Sequence, residues 1–202
     1  MRTTNPKDDT RARILLAGAE LLHKQGYAAT GIQQVLDACG VPKGSLYHYF
    51  KSKEDFGLAV VDMHAERMLA GAQAMFANPD IPPLERIQRF FERFLALFSD
   101  PAHPLGASGC PIGNLVQELA ASSATFRQRL DTVLTGMEEH LALALRQASE
   151  AGNIPAHLDP EETARFVSSS WQGAILRAKA AGSTAPLLRC RDFILGEVLR
   201  QA

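Results

Sequence analysis

Long apolar runs are missing from this 202-residue chain. There is no stretch of 18 apolar residues and no secretory h-region. A membrane-spanning helix is therefore not expected, and the sequence reads as soluble and cytoplasmic. Cysteine is scarce, with three residues in all and no CxxC spacing. That count argues against a disulfide framework or a zinc site and fits a reducing compartment. The six histidines show no HExxH or other metal-ligand spacing, and no Gly-rich phosphate loop occurs, so no metal, cofactor or enzymatic activity is expected. Asp159, Glu161 and Glu162 read as helix-start charges rather than a catalytic set. Alternating strand patterns and tandem repeats are also absent. What remains is an all-α chain.

The overall charge of −1 hides an asymmetry. Residues 1–53 hold 8 Lys and Arg against 4 Asp and Glu, a net +4, whereas residues 54–202 hold 13 against 18, a net −5. A basic head that meets phosphates and an acidic body with another task would give this pattern. The expected domains are accordingly 1–53 and 54–202.

Apolar spacing predicts about nine helices. Residues 1–8 read as a loose arm. A first helix spans 9–25, with Ile14, Leu15, Gly18, Leu21 and Leu22 inward and Gly26 as its stop. Thr30 is the expected N-cap of the second, with Gln33 as capping-box partner; Ile32, Val35, Leu36 and Cys39 form its inner face. After the Gly40 turn, Pro42 opens a third helix anchored by Val41, Leu46 and Phe50. Ser52 caps a fourth helix reaching about Ala77, and Asn78–Pro83 is a break. A fifth helix carries Ile87, Phe90, Phe91, Phe94, Leu95 and Phe98. Residues 100–108 read as a loop. Further helices are expected at 110–120, 123–151, from Asp159, and at 186–200.

The most informative stretch is Thr30 to Lys53, a short helix, a glycine turn and a second short helix. The second has Lys43, Tyr47 and His48 on its polar side. A cationic, aromatic, exposed face on so short a helix suits a DNA groove better than a core. The string Gly-Val-Pro-Lys-Gly-Ser-Leu-Tyr-His-Tyr-Phe-Lys-Ser-Lys, within three small helices followed by about six more, resembles the TetR family of bacterial transcriptional repressors. The resemblance is strong over residues 9–60. It implies a helix-turn-helix head and a C-terminal helical domain for ligand binding and dimerisation. Lys43 would meet phosphate, Gly44 would allow close approach, and Ser45 would belong to the DNA-binding set. Tyr47 would touch backbone or a thymine methyl, and His48 and Lys53 would contact phosphate. Thr30 could share its hydroxyl with phosphate. Gln33 could instead pair bidentately with adenine, a role that excludes its capping one.

The family pairs its last two helices with their mates. Here those helices carry small residues (Ser168, Ser169, Ser170, Gly173, Ala174, Ala178) and bulk (Val167, Trp171, Ile175, then Leu187, Leu188, Phe193, Ile194, Val198 and Leu199). A homodimer on a palindromic operator is expected; the same residues could alternatively close the monomer core.

The regulatory half has two open readings. Phe94, Met137 and Trp171, with Met63, Met68, Phe91, Leu95 and Phe98, could line a ligand pocket or fill a core. Gly109-Cys110 opening a short helix resembles the branch of the family that responds to N-ethylmaleimide and hypochlorite. That resemblance implies a reactive Cys110 with Lys179 beside it. Pro111-Ile112-Gly113-Asn114-Leu115 recurs instead in branches that bind small organic inducers. A helical adaptor with a non-functional reading head is the alternative to a DNA-binding regulator.

Overall fold

The computed structural model describes residues 6–100 and 102–200, and among these there is no strand. Ten α-helices follow one another, and a π-helical turn, Ile194–Val198, ends the last. The expected loop at 100–108 contains a five-residue helix, so the helix expected from Asp159 is the ninth. Residues 1–5 of the expected arm lie outside the described residues; from Pro6 the chain is already helical. A proline at the first helical position lacks only an N–H that would be unpaired anyway.

The chain forms two compact units. The first takes the described residues up to Glu66 together with Pro111–Leu130. It contains α1 (Pro6–Gln25), α2 (Ile32–Cys39), α3 (Leu46–Tyr49), the start of α4 (Lys53–Phe76), α7 (Pro111–Leu119) and the start of α8 (Ala124–Glu150). α7 and the start of α8 thus belong to the same compact unit as the three helices of the head.

Ile14, Leu22, Val35, Leu36, Leu46, Phe50 and Phe56 form the core of this unit, each 3% exposed or less. Gly18 is small for a packing reason: a Cβ there would lie 2.2 Å from the Phe56 ring. Gly26 (φ +86°) ends α1, its N–H returning to Leu22 O at 2.9 Å.

Capping of α2 departs from expectation. The helix starts one residue later than the Thr30 cap requires, and its N-cap is Gly31. Gly31 N–H donates to Gln34 Oε1 at 2.9 Å. Having no side chain, Gly31 returns no side-chain bond, so Gln34 and not Gln33 makes half of a capping box. At the other end Gly40 (φ +64°) and the Val41 N–H to Leu36 O bond (2.9 Å) close the helix in the left-handed manner.

The second unit comprises the described residues of Arg67–Cys110 and Asp131–Ala202. It holds the remainder of α4 and α8, α5 (Pro83–Ser99), α6 (Pro104–Ser108), α9 (Pro160–Ala181) and α10 (Ala185–Phe193). Asp159 caps α9 by accepting from Glu162 N at 2.8 Å. Arg86 is buried and bonded: it donates to Phe76 O at 2.8 Å, to Ile81 O at 2.6 Å and to Gln147 Oε1. It thereby satisfies the last carbonyl of α4, Phe76 O, and a carbonyl of the following connection, Ile81 O.

Burial sorts the apolar residues of α9 and α10 into two sets. Val167, Trp171, Ala174, Ile175 and Ala178 are buried within the chain itself, as are Leu187, Ile194 and Leu199. They close the unit's own core. The exposed apolar residues lie on other faces: Phe166 (48% exposed) and Leu176 (48%) on α9, Leu188 (38%) and Phe193 (58%) on α10. Ser169 and Gly173 are exposed between Phe166 and Leu176, and the spacing 166, 169, 173, 176 is one helical stripe. A Cβ at Gly173 would meet nothing within 4 Å.

Candidate nucleic-acid interface and effector cavity

The reading head is built around a shorter helix than the sequence suggests. Pro42 does not open α3. Lys43 and Gly44 form a turn, Gly44 has φ +88°, and one helical turn follows from Leu46. Gly44 therefore answers a left-handed backbone position that side chains rarely adopt. Leu46 and Phe50 are buried and hold the turn to the head, while Tyr47 is 65% exposed. Lys43 and His48 are exposed beside it, and Ser45 is half-buried. The His48 and Tyr49 rings meet edge to face at 5.2 Å. A single turn thus pairs two apolar anchors with an outward polar set of one cation, one phenol and one imidazole.

The other residues expected at DNA are more engaged. Thr30 is 1% exposed, and its hydroxyl donates to Gly26 O at 2.6 Å while accepting from Gln25 Nε2 at 3.3 Å. It neither caps α2 nor presents its hydroxyl at the surface. Gln33 is half-buried, and its amide donates to Asp37 Oδ1 at 2.6 Å. Lys53 leans on the Tyr27 ring (4.6 Å from the centroid) and reaches Ala28 O at 3.5 Å. Ser52 caps α4 by accepting from Asp55 N at 3.0 Å, and Asp55 accepts from Lys51 N at 2.8 Å.

A latch within this unit escaped sequence reasoning. The Glu118 carboxylate on α7 accepts from Tyr27 N at 2.8 Å and Ala28 N at 2.6 Å, across some ninety residues of chain. Tyr27 also packs edge to face on Phe126 at 5.2 Å. Burial, then the nearby charges of Glu54 and Glu118, push the Tyr27 phenol above its ordinary value. Nothing local marks Glu118; only the fold brings it to the end of α1.

In the second unit Cys110, Phe94, Met137 and Trp171 line one cavity of about 40 Å³, with Met68, Phe90 and Gln172. Of the other residues considered for a pocket, Phe91 and Leu95 are buried and Phe98 lines a different space. Trp171 is ringed by Phe91 at 4.8 Å, Phe94 at 6.3 Å and Phe90 at 6.4 Å. Cys110 is buried, directly before the first residue of α7, and Gln172 Nε2 approaches its Sγ at 3.8 Å. Lys179 is exposed and lines a separate space of about 540 Å³ with Ser99, Gly106 and Thr184. The cysteine and the lysine expected beside it therefore border different cavities. No group of three or more metal-ligating side chains stands together among the described residues. None of their helices is long and apolar enough to cross a membrane.

Comparison with known proteins agrees with this architecture. Residues 14–60 match the family described as bacterial regulatory proteins, tetR family, and residues 83–194 match the tetracyclin repressor-like C-terminal domain. The transcriptional regulator AcuR of Cereibacter sphaeroides is 37% identical over 174 residues, covering 86% of this chain and 78% of its own. The transcriptional repressor NemR of Escherichia coli strain K12 is 30% identical over 179 residues, 89% of this chain and 88% of its own. The crystal structure of the reduced form of E. coli NemR superposes with a TM-score of 0.88 at 28% identity, covering 96% of this chain and 98% of that one. An exposed Lys43-Tyr47-His48 turn on a small helical head, an all-helical body and these likenesses lead to one statement: the chain belongs to the TetR family and is a DNA-binding transcriptional regulator.

Proposed function

We propose that the protein acts in the cytoplasm as a homodimeric repressor, holding a palindromic operator until an effector in the regulatory unit releases it. The carrying observation is the turn from Lys43 to His48, where Tyr47 is 65% exposed above buried Leu46 and Phe50. In this reading Lys43 and His48 contact phosphate and Tyr47 meets backbone or a thymine methyl. Gly44 and Ser45 keep the approach close, and Gln33 reads a base edge after leaving Asp37. Lys53 adds phosphate contact from the start of α4. Thr30 supports the head from inside.

TetR-family regulators bind operator DNA and typically function as dimers. For this chain the dimer surface is the exposed stripe of α9 and α10, centred on Phe166, Gly173, Leu176 and Phe193. Gly173 leaves room for a second helix to approach closely. Two heads reading half-sites about 34–36 Å apart, or a multiple of it, would supply the specificity that one turn lacks.

Effector action requires a ligand or modification that favours one arrangement over the other, typically by about 1–3 kcal/mol. Cys110 immediately precedes α7, and α7 carries the Glu118 latch on the head. A change at the cavity thus has a route along α7 and through the Glu118 hydrogen bonds to Tyr27 and Ala28, alongside the continuous α4. Modification of Cys110 by an electrophile or oxidant is one trigger and occupancy of the cavity the other.

Selection of binding sites from random-sequence duplexes tests the reading. It should enrich a two-fold symmetric sequence in the wild type, and a Lys43→Ala, Tyr47→Ala variant should enrich nothing. Recovery of no sequence by the wild type would refute it.

A further inference from the structure

Trp171, one of the residues lining the cavity, carries a hydrogen-bond donor with nothing to donate to. Trp171 is 4% exposed, and its indole Nε1–H is buried with no partner in the structure. Buried donors are nearly always paired, by protein, water or ligand, because desolvating one without a bond is costly. Two further observations narrow what fits. The side chains lining the cavity include no Asp, Glu, Lys, Arg or His among the described residues, so a carboxylate or ammonium entering it would be desolvated without an ionic partner. The volume is about 40 Å³. At roughly 10–15 Å³ for each water-sized sphere, that is room for about three waters, or a compact molecule of about five non-hydrogen atoms after slight side-chain adjustment.

We propose that this cavity binds a small, uncharged carbonyl compound, a ketone or aldehyde of about five non-hydrogen atoms, whose oxygen accepts from Trp171 Nε1–H. The alkyl remainder lies against Phe90, Phe94 and Met137, where methionine adapts to irregular shapes. The proposal names the ligand class for the effector site and, as to regulation, rests on the repressor reading; the binding itself is testable without DNA.

The chain has one tryptophan, so full-length, 15N-labelled protein gives a single indole N–H resonance, and that resonance is Nε1 of Trp171. Three probes of similar size separate the contributions: butan-2-one, its alkene isostere 2-methylbut-1-ene, and propanoate. Butan-2-one should move the indole resonance saturably and bind about tenfold more tightly than the alkene, the worth of one hydrogen bond of about 1.4 kcal/mol. Propanoate should leave the resonance in place at the same concentrations. In Trp171→Phe, followed by calorimetry, the ketone and the alkene should bind equally.

Equal affinity of ketone and alkene in the wild type would overturn the proposal. So would binding of propanoate at ketone concentrations, or an indole resonance that no ketone moves (an ordered water only). The comparison of probes in the wild type stands even if Trp171→Phe folds poorly. Operator affinity of the ligand-free protein is measured separately. Its absence with ketone binding intact would remove the repressor reading and leave the site; intact operator binding without ketone binding would do the reverse.

Discussion

Replacing Phe193 by aspartate should convert a dimer into monomers without unfolding the chain. Phe193 is 58% exposed, so its ring contributes little to the fold of a single copy. Aromatic side chains bury about 150–250 Å² when fully covered; the exposed share of Phe193 is therefore on the order of 100 Å². At about 25 cal/mol per Å², covering it contributes about 2.5 kcal/mol. In a two-fold interface the same residue occurs twice, which brings the loss to about 5 kcal/mol before the cost of burying two carboxylates. Each 1.4 kcal/mol is a factor of ten in Kd, so the dimer should weaken by more than about a thousandfold. Sedimentation equilibrium at micromolar protein measures this, with circular dichroism to confirm unchanged helicity. Phe193→Asp remaining as dimeric as the wild type would show that α10 does not meet its mate through this face. Trp171→Phe, buried in the chain's own core, should leave the dimer intact.

Other expectations follow from single residues. Glu118→Ala removes the acceptor for the Tyr27 and Ala28 N–H groups. It should lower stability by about 1–3 kcal/mol and weaken the response of DNA affinity to effector more than DNA affinity itself, read by titrating operator with and without effector. Arg86→Met leaves the Phe76 and Ile81 carbonyls without their donor; a loss of about 2–4 kcal/mol is expected in urea unfolding. Tyr27 has a raised phenol pKa in the folded state. The sign follows from linkage: unfolded tyrosine ionises first, so this stability is fully present below pH about 10 and is lost as pH rises through the folded value. Tyr27→Phe should flatten that alkaline fall. Burial also raises the Cys190 thiol, so alkylation at pH 8 should be slower there than for an ordinary exposed cysteine.

Helix positions were largely legible because their apolar spacing is regular. Ile87, Phe91, Leu95 and Phe98 repeat on one face of α5 and are buried there. What the sequence hid was conformation and distance. Lys43-Gly44 reads as the start of a helix, and only a φ of +88° at Gly44 reveals a turn. Thr30 and Gly31 are both acceptable caps; packing decided between them by burying the Thr30 hydroxyl against Gly26 O. On α9, apolar residues occur on several faces, so periodicity could not tell core from mating surface. The large residues Val167, Trp171 and Ile175 face inward, while Phe166 and Leu176 remain outside. The pairing of Cys110 with Lys179 came from resemblance, and no local pattern relates two residues so far apart in the chain. The Glu118 latch depends on a contact between segments ninety residues apart, which no local pattern encodes.

The salt dependence of duplex binding, compared between wild type and Lys43→Ala, tests the account most directly. Each phosphate neutralised contributes about −0.9 to the slope of log affinity against log salt. The wild type should show a slope of several such units. In Lys43→Ala the magnitude should fall by about 0.9 for each reading head, or about 1.8 for the dimer. Identical slopes for the two proteins, or wild-type binding insensitive to salt, would contradict the placement of Lys43, Tyr47 and His48 against DNA.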